Sequence, residues 1–179
     1  MHSKCMSKCL VGILKGQDLA GVLPPSIAKL PYLTQIVFPR NFLSGNIPSE
    51  WASTKLEFMS LESNMFSGTV PPEFGKLVNL QRLIINANNL TGVLPLHLTN
   101  LTKLTELRIS SNNFTGIIPD FFRSWSQLEK LEIQASGLEG PIPSSISVLS
   151  NLTELRISDL NGGGSVFPNL TNMKSMKRL

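Results

Sequence analysis

Few residues in this chain could do covalent chemistry. The two histidines are His2, in the irregular start, and His97, between Leu96 and Leu98. Neither has a serine, cysteine or carboxylate at a spacing that would build a nucleophile–base–acid set, and no cluster has metal-ligand spacing. Cys5 and Cys9 stand four residues apart. They could form a disulfide, half a metal site, or neither. The run Asn161-Gly162-Gly163-Gly164-Ser165 superficially suggests a phosphate cradle, but the Lys-Ser/Thr and helix that such a loop needs do not follow it. Kinase motifs are absent from the sequence: no glycine-rich loop with its valine, no HRD, no DFG. No cofactor is implied. What remains is acceptor chemistry for glycans, at the Asn-x-Ser/Thr positions Asn89, Asn100, Asn113, Asn151 and Asn169, and recognition chemistry on whatever surface the chain presents.

That surface is set by a repeat. In Leu104–Gln127, apolar residues fall at Leu104, Leu107 and Ile109, followed by Asn112, Phe114, Gly116, Ile118-Pro119, Phe122 and Trp125. The same order recurs from anchors Leu33, Leu56, Leu80, Leu128, Leu152 and Met176, with steps of 24 residues apart from one of 23. Counting back places a degenerate anchor at Cys9. Self-similarity at a fixed period is the mark of a solenoid, and this pattern is that of leucine-rich repeats. Each LxxLxL stretch reads as a short strand with leucines inward and alternate residues outward. The asparagine opens a turn, the glycine tolerates backbone conformations that other residues resist, and the proline starts an irregular return path.

Column positions then assign roles. Trp51, Trp125, Phe66 and Phe114 fill slots that other repeats fill with Leu, Ile or Phe, so they belong to the core. Asn41, Asn64, Asn88 and Asn112 form a structural ladder, because a buried amide both donates to and accepts from turn backbone. The ladder breaks at Ser136 and Leu160, and a looser inner turn, or ordered water, is expected there. His97 is expected to face solvent on the convex side.

The outward strand positions make two concave columns. One reads Gln35, Phe58, Arg82, Glu106, Lys130, Glu154; the other Val37, Ser60, Ile84, Arg108, Glu132, Arg156. In the later repeats the sign of charge alternates down both columns. Those charges read as exposed, mutually neutralising pairs, worth about 0–1 kcal/mol each. In the early repeats Val37, Phe58 and Ile84, with Arg40 and Arg82, read as a candidate protein- or peptide-binding patch.

Bulk properties agree with a globular repeat: 41% hydrophobic and 16% charged residues. The net charge of +4 reflects basic ends (Lys4, Lys8, Lys15, Lys29, Lys174, Lys177, Arg178) around a nearly neutral interior. Nucleic-acid binding is therefore not expected. No apolar run reaches the roughly 18 residues that span a bilayer, and the start has no secretory h-region. The expectation is an irregular segment over 1–8 and repeats over 9–179, about six full and one partial, within a longer protein.

The strings Asn41–Pro48, Asn64–Pro71, Asn88–Pro95 and Asn112–Pro119 (NFLSGNIP, NMFSGTVP, NNLTGVLP, NNFTGIIP) resemble the plant-specific leucine-rich repeat, found mainly in extracellular receptors. Leu14–Leu33 and Ile157–Leu179 resemble one subfamily of plant receptor-like kinases, in which the repeats precede a malectin-like domain, a membrane span and a Ser/Thr kinase domain. The resemblance implies a right-handed α/β leucine-rich-repeat solenoid with a parallel concave β-sheet and an irregular or 3-10 convex side. It also implies a non-catalytic recognition module at the extracellular face of the plasma membrane, with a peptide or protein ligand or a co-receptor as partner. Membrane attachment would come only through parts of the protein outside this chain. The alternatives are a soluble secreted defence or inhibitor-like repeat protein and a truncated product with no role of its own.

Overall fold

A computed structural model describes residues 10–162 and 166–179. Cys5, Cys9 and the segment 1–8 lie outside the described residues.

The chain winds as a right-handed coil whose turns stack in register. Strands β1 (Leu10–Ile13), β3 (Leu33–Val37), β5 (Phe58–Ser60), β7 (Arg82–Ile84), β9 (Glu106–Arg108), β11 (Lys130–Gln134) and β12 (Glu154–Ser158) form a seven-stranded parallel sheet in the order β1-β3-β5-β7-β9-β11-β12. Register is set residue on residue: Phe58 pairs with Arg82, Arg82 with Glu106, Glu106 with Lys130 and Lys130 with Glu154. Backbone pairing then continues to Arg178. The inward residues of each strand and its flanks, such as Leu83 in β7 with Leu80 and Ile85 beside it, join one contiguous core.

A second parallel sheet was not expected from the sequence. The stretches read as turn and return path form β2 (Ala20–Val22), β4 (Phe42–Asn46), β6 (Met65–Gly68), β8 (Asn89–Gly92) and β10 (Asn113–Phe114), in the order β10-β8-β6-β4-β2. The cause is vertical repetition. Once the first sheet fixes the spacing, backbone groups of successive turns lie opposite one another and pair. The return segments are 3-10 turns: Pro25–Lys29, Ser49–Ser53, Pro72–Lys76, Leu96–Asn100, Phe122–Ser124 and Ser144–Val148. A proline precedes five of them, at Pro24, Pro48, Pro71, Pro95 and Pro143. Its fixed φ suits the extended step into a helical turn.

The core slots are filled as the columns require. Trp51, Trp125, Phe66 and Phe114 are buried, with the indole Nε1–H groups donating to the carbonyls of Pro24 and Leu98. His97 is exposed on its 3-10 turn.

The asparagine ladder holds the turns together. The Asn88 amide donates to the carbonyls of Leu61 at 3.0 Å, Ile85 at 3.1 Å and Asn86 at 3.2 Å, and its Oδ1 accepts the Phe66 N–H at 3.1 Å. Asn64 and Asn112 repeat this arrangement; Asn41 does the same with Leu14, Phe38 and Pro39 as acceptors. Each asparagine therefore ties its own strand end to the turn one repeat earlier. Just before each ladder asparagine stands a residue in the left-handed region: Arg40, Ser63, Ala87 and Ser111, with φ between 52° and 57°.

The turn at Ser136 is closed, not loosened as expected. The Phe114 N–H, which an asparagine would have taken, donates to the Ser136 backbone carbonyl at 2.9 Å. The Ser136 carbonyl takes over the acceptor role that Oδ1 fills in the other rungs, though not the amide's donations. Gly137, with φ of 89°, permits this approach, since a Cβ there would overlap the Phe114 carbonyl oxygen. One repeat on, the Asn161 amide donates to the Gly137 carbonyl at 2.9 Å.

These bonds predict unequal costs for removing two neighbours in one column. Asn88→Ala strands four backbone groups and should cost about 2–4 kcal/mol in urea unfolding. Ser136→Ala should cost less than about 1 kcal/mol, because its side chain only accepts one long bond, from the Leu138 N–H at 3.4 Å, and the Phe114 N–H is held by the backbone carbonyl. Equal costs would contradict the substitution of carbonyl for amide.

Candidate functional site

The concave sheet divides into two halves of different character. Its N-terminal half carries Val37 and Phe58, both half-buried, and Ile84, which is buried. Ile84 points outward between Ser60 and Arg108 in register and lies outside the contiguous core, so its cover comes from the concave side. The patch is thus less open at Ile84 than the column pattern suggested. Ile13, paired with Val37, extends it by one strand and is 60% exposed. The degenerate first repeat hid Ile13 from sequence reasoning. Its only signal was its place in the Val37 column. Arg40 is exposed in the left-handed turn that follows Val37. Arg82 lies with its guanidinium 4.3 Å from the Phe58 ring centroid. That cation–π contact, worth about 0.5–1 kcal/mol, covers one side of the ring.

The C-terminal half is a continuous ionic lattice, not a set of exposed pairs. Glu106 meets Arg82 at 2.5 Å and Arg108 at 2.6 Å; Glu132 meets Arg108 at 3.5 Å and Arg156 at 3.9 Å; Glu154 meets Arg156 at 2.7 Å and Arg178 at 3.8 Å. The bonds run along the strands, as in Arg108–Glu106 and Arg156–Glu154, as well as vertically between them. Lys130 was expected to join the alternation, yet it makes no ion pair among the described residues. Depth separates the two signs. The side chains of Glu106, Glu132 and Glu154 are 5%, 10% and 11% exposed, whereas Arg108, Arg82, Arg156 and Arg178 are 27%, 44%, 44% and 72% exposed. The short carboxylates sit on the sheet, and the longer guanidiniums arch over them.

Glu106 is the most enclosed member. Burial pushes its carboxyl up, but the Arg82 hydrogen bond and the charges of Arg108 and Arg82 outweigh this and hold it below the usual carboxylate range. Burial likewise pulls Arg108 down, and Glu106 and Glu132 more than restore it. Asn86, at the next outward position beyond Ile84, has a buried Oδ1 without a hydrogen-bond partner.

The glycan candidates lie elsewhere. Asn89, Asn100, Asn113, Asn151 and Asn169 are all exposed. Asn89 and Asn113 begin β8 and β10 of the second sheet and touch, Asn113 donating to Asn89 at 3.1 Å. Asn100 ends a 3-10 turn, and Asn151 follows another. None of the five stands on a concave strand. Among the described residues no group of three or more His, Cys, Asp or Glu could hold a metal ion, and no helix is long and apolar enough to cross a membrane.

The family model described as leucine rich repeat matches residues 102–162, and a second leucine-rich-repeat model matches 55–77 and 79–101. A probable leucine-rich repeat receptor-like serine/threonine-protein kinase of Arabidopsis thaliana is 48% identical over 49 residues, covering 27% of this chain and 5% of that protein. The chain therefore spans about a twentieth of the curated relatives it matches. The ectodomain of the receptor kinase SOBIR1 from Arabidopsis thaliana superposes with a TM-score of 0.68 at 33% identity, over 73% of this chain and 72% of that one. The Arabidopsis receptor kinase HAESA, solved with the peptide hormone IDA and the co-receptor SERK1, superposes with a TM-score of 0.80 at 27% identity, over 94% of this chain and 31% of that one.

The lattice sets an acid limit on the fold. Because the Glu106 pKa is depressed on folding, its contribution is full above the unfolded value of about 4.3 and fades as pH falls through the folded value. Glu106→Gln should cost about 1–3 kcal/mol at pH 7. The gap between the two proteins should close on acidification, as thermal unfolding at stepped pH would register. A gap that stays constant below pH ~4 would show that Glu106 is not held ionised by the arginines.

Proposed function

The chain belongs to the leucine-rich repeat family, and we propose that it is the ligand-recognition part of the extracellular portion of a plant receptor-like kinase. It is a recognition surface, not a catalyst. Its ligand is a peptide or protein, or a co-receptor. Resemblance at Leu14–Leu33 and Ile157–Leu179 supports the finer assignment to receptors with a malectin-like domain after the repeats, in which repeats fill 9–179 of this chain. Signal transduction at the plasma membrane would then belong to the whole receptor.

One observation carries the reading. An apolar strip of Ile13, Val37 and Phe58, bounded by Arg82, remains partly open on the concave face, while the carboxylates of the neighbouring half are each paired with arginines. Exposed apolar area beside a polar rim is the composition of a contact surface. Two further facts support it. Leucine-rich-repeat receptors that match this chain were solved with peptide hormones bound. The five glycan acceptors, which we assign as glycosylated, leave the concave strands bare.

The test is a screen of short synthetic secreted-type peptides against the immobilised chain, followed by titration of the hits. Phe58→Ala and Ile13→Asp should each weaken a true ligand by about tenfold or more. Lys130→Gln, away from the strip, should leave it unchanged. Hits that ignore both strip substitutions would remove the concave apolar half as the docking site.

A further inference from the structure

The depth ordering of the ionic lattice has a chemical consequence. In register, every rung from β7 onward carries one outward cation: Arg82, Arg108, Lys130, Arg156 and Arg178. They alternate between the two concave columns from rung to rung. The three carboxylates among them are nearly covered, and the cations stand above, Arg178 and Arg156 well exposed. Beside this track Ser110, Gln134 and Ser158 line up as a third column, joined by Gln134 N–H to Ser110 at 2.9 Å and Gln134 to Ser158 at 3.4 Å.

We infer that this half of the concave face is a binding track for a linear acidic polysaccharide with one carboxylate on each sugar ring, a polyuronate. Period decides between polyanions. Rungs repeat every ~4.8 Å, whereas an extended peptide returns a side chain to the same face only every ~6.6–7 Å and slips out of register within two or three rungs. A head-to-tail pyranose chain advances by roughly one rung per ring. When its carboxylates alternate sides, they meet the alternating columns without further twisting. The guanidiniums offer forked N–H donors matched to carboxylates, and the buried Glu106, Glu132 and Glu154 hold those forks in place before a ligand arrives. In the third column Ser110 is buried, and the half-buried Gln134 amide and Ser158 hydroxyl suit the ring hydroxyls. Track and apolar strip share only Arg82, which lies over Phe58; the track cations from Arg108 to Arg178 lie outside the strip, so this inference and the peptide reading are tested separately by Lys130 and Ile13.

Calorimetric titration of the full chain with oligogalacturonate long enough to cover the track tests it. Three results are expected together. Binding should weaken by about tenfold or more between low and high salt, as for exposed charges that ions screen. The fully methyl-esterified oligomer should not bind. Lys130→Glu, which disturbs no ion pair, should weaken binding by about fivefold or more, with Ile13→Asp, separated by two strands from the first track cation, leaving polyuronate binding unchanged. Arg178→Gln should act in the same direction as Lys130→Glu. No binding to oligogalacturonate, equal binding to polyglutamate of the same length, or indifference to Lys130→Glu would each overturn the assignment.

Discussion

Everything on the surface of this protein depends on one constraint: each turn of the coil must satisfy its backbone against the turn before it. The LxxLxL strands do this on one side by parallel pairing. On the opposite side the strand ends and the tight turns leave carbonyls and N–H groups that no ladder of ordinary length reaches. A single carboxamide in each repeat closes that gap, since it donates and accepts at once. Because Asn41, Asn64, Asn88 and Asn112 span adjacent repeats, they lock vertical spacing as well as turn shape. Locked spacing is what pairs the second sheet and keeps outward side chains in straight columns.

Straight columns make the concave face a raster on which side-chain length becomes depth. Glutamate is short and arginine long, so charges that alternate in sign down the columns are stratified across the surface. Guanidiniums lie outermost and carboxylates beneath. Removing these carboxylates from water is costly, and the cost is met only because each has an arginine partner within hydrogen-bond or ion-pair reach. The apolar half has no such internal partners except Arg82, which bridges the two halves through Phe58 and Glu106.

Much of this was legible in the sequence. The period fixed the fold, the inward columns and the burial of Trp51, Trp125, Phe66 and Phe114, because a slot filled elsewhere by leucine admits little else. The ladder was legible for the same reason. Four features were not. The rescue at Ser136 uses a backbone carbonyl, which every residue has and no sequence pattern announces; only Gly137 hints at the close approach. The second sheet arises from stacking, and strands of two to five residues leave little pattern of their own. The enclosure of Glu106 and the isolation of Lys130 follow from same-strand neighbours, since Arg108 and Arg156 reach Glu106 and Glu154 along the strand, whereas reading down a column shows only vertical ones. Ile13 escaped notice because its repeat lacks a regular anchor.

The central claim is that the ladder amides, and at one rung a carbonyl, are structural members equal to the strand hydrogen bonds. Amide hydrogen exchange resolved to single residues tests it most directly. The N–H groups of Leu43, Phe66 and Leu90, which donate to Asn64, Asn88 and Asn112, and that of Phe114, which donates to the Ser136 carbonyl, should exchange as slowly as the amides of β7 and β9. If those four amides exchanged at the rates of exposed turns while the strand amides stayed protected, the ladder would be ornament and the account would be wrong.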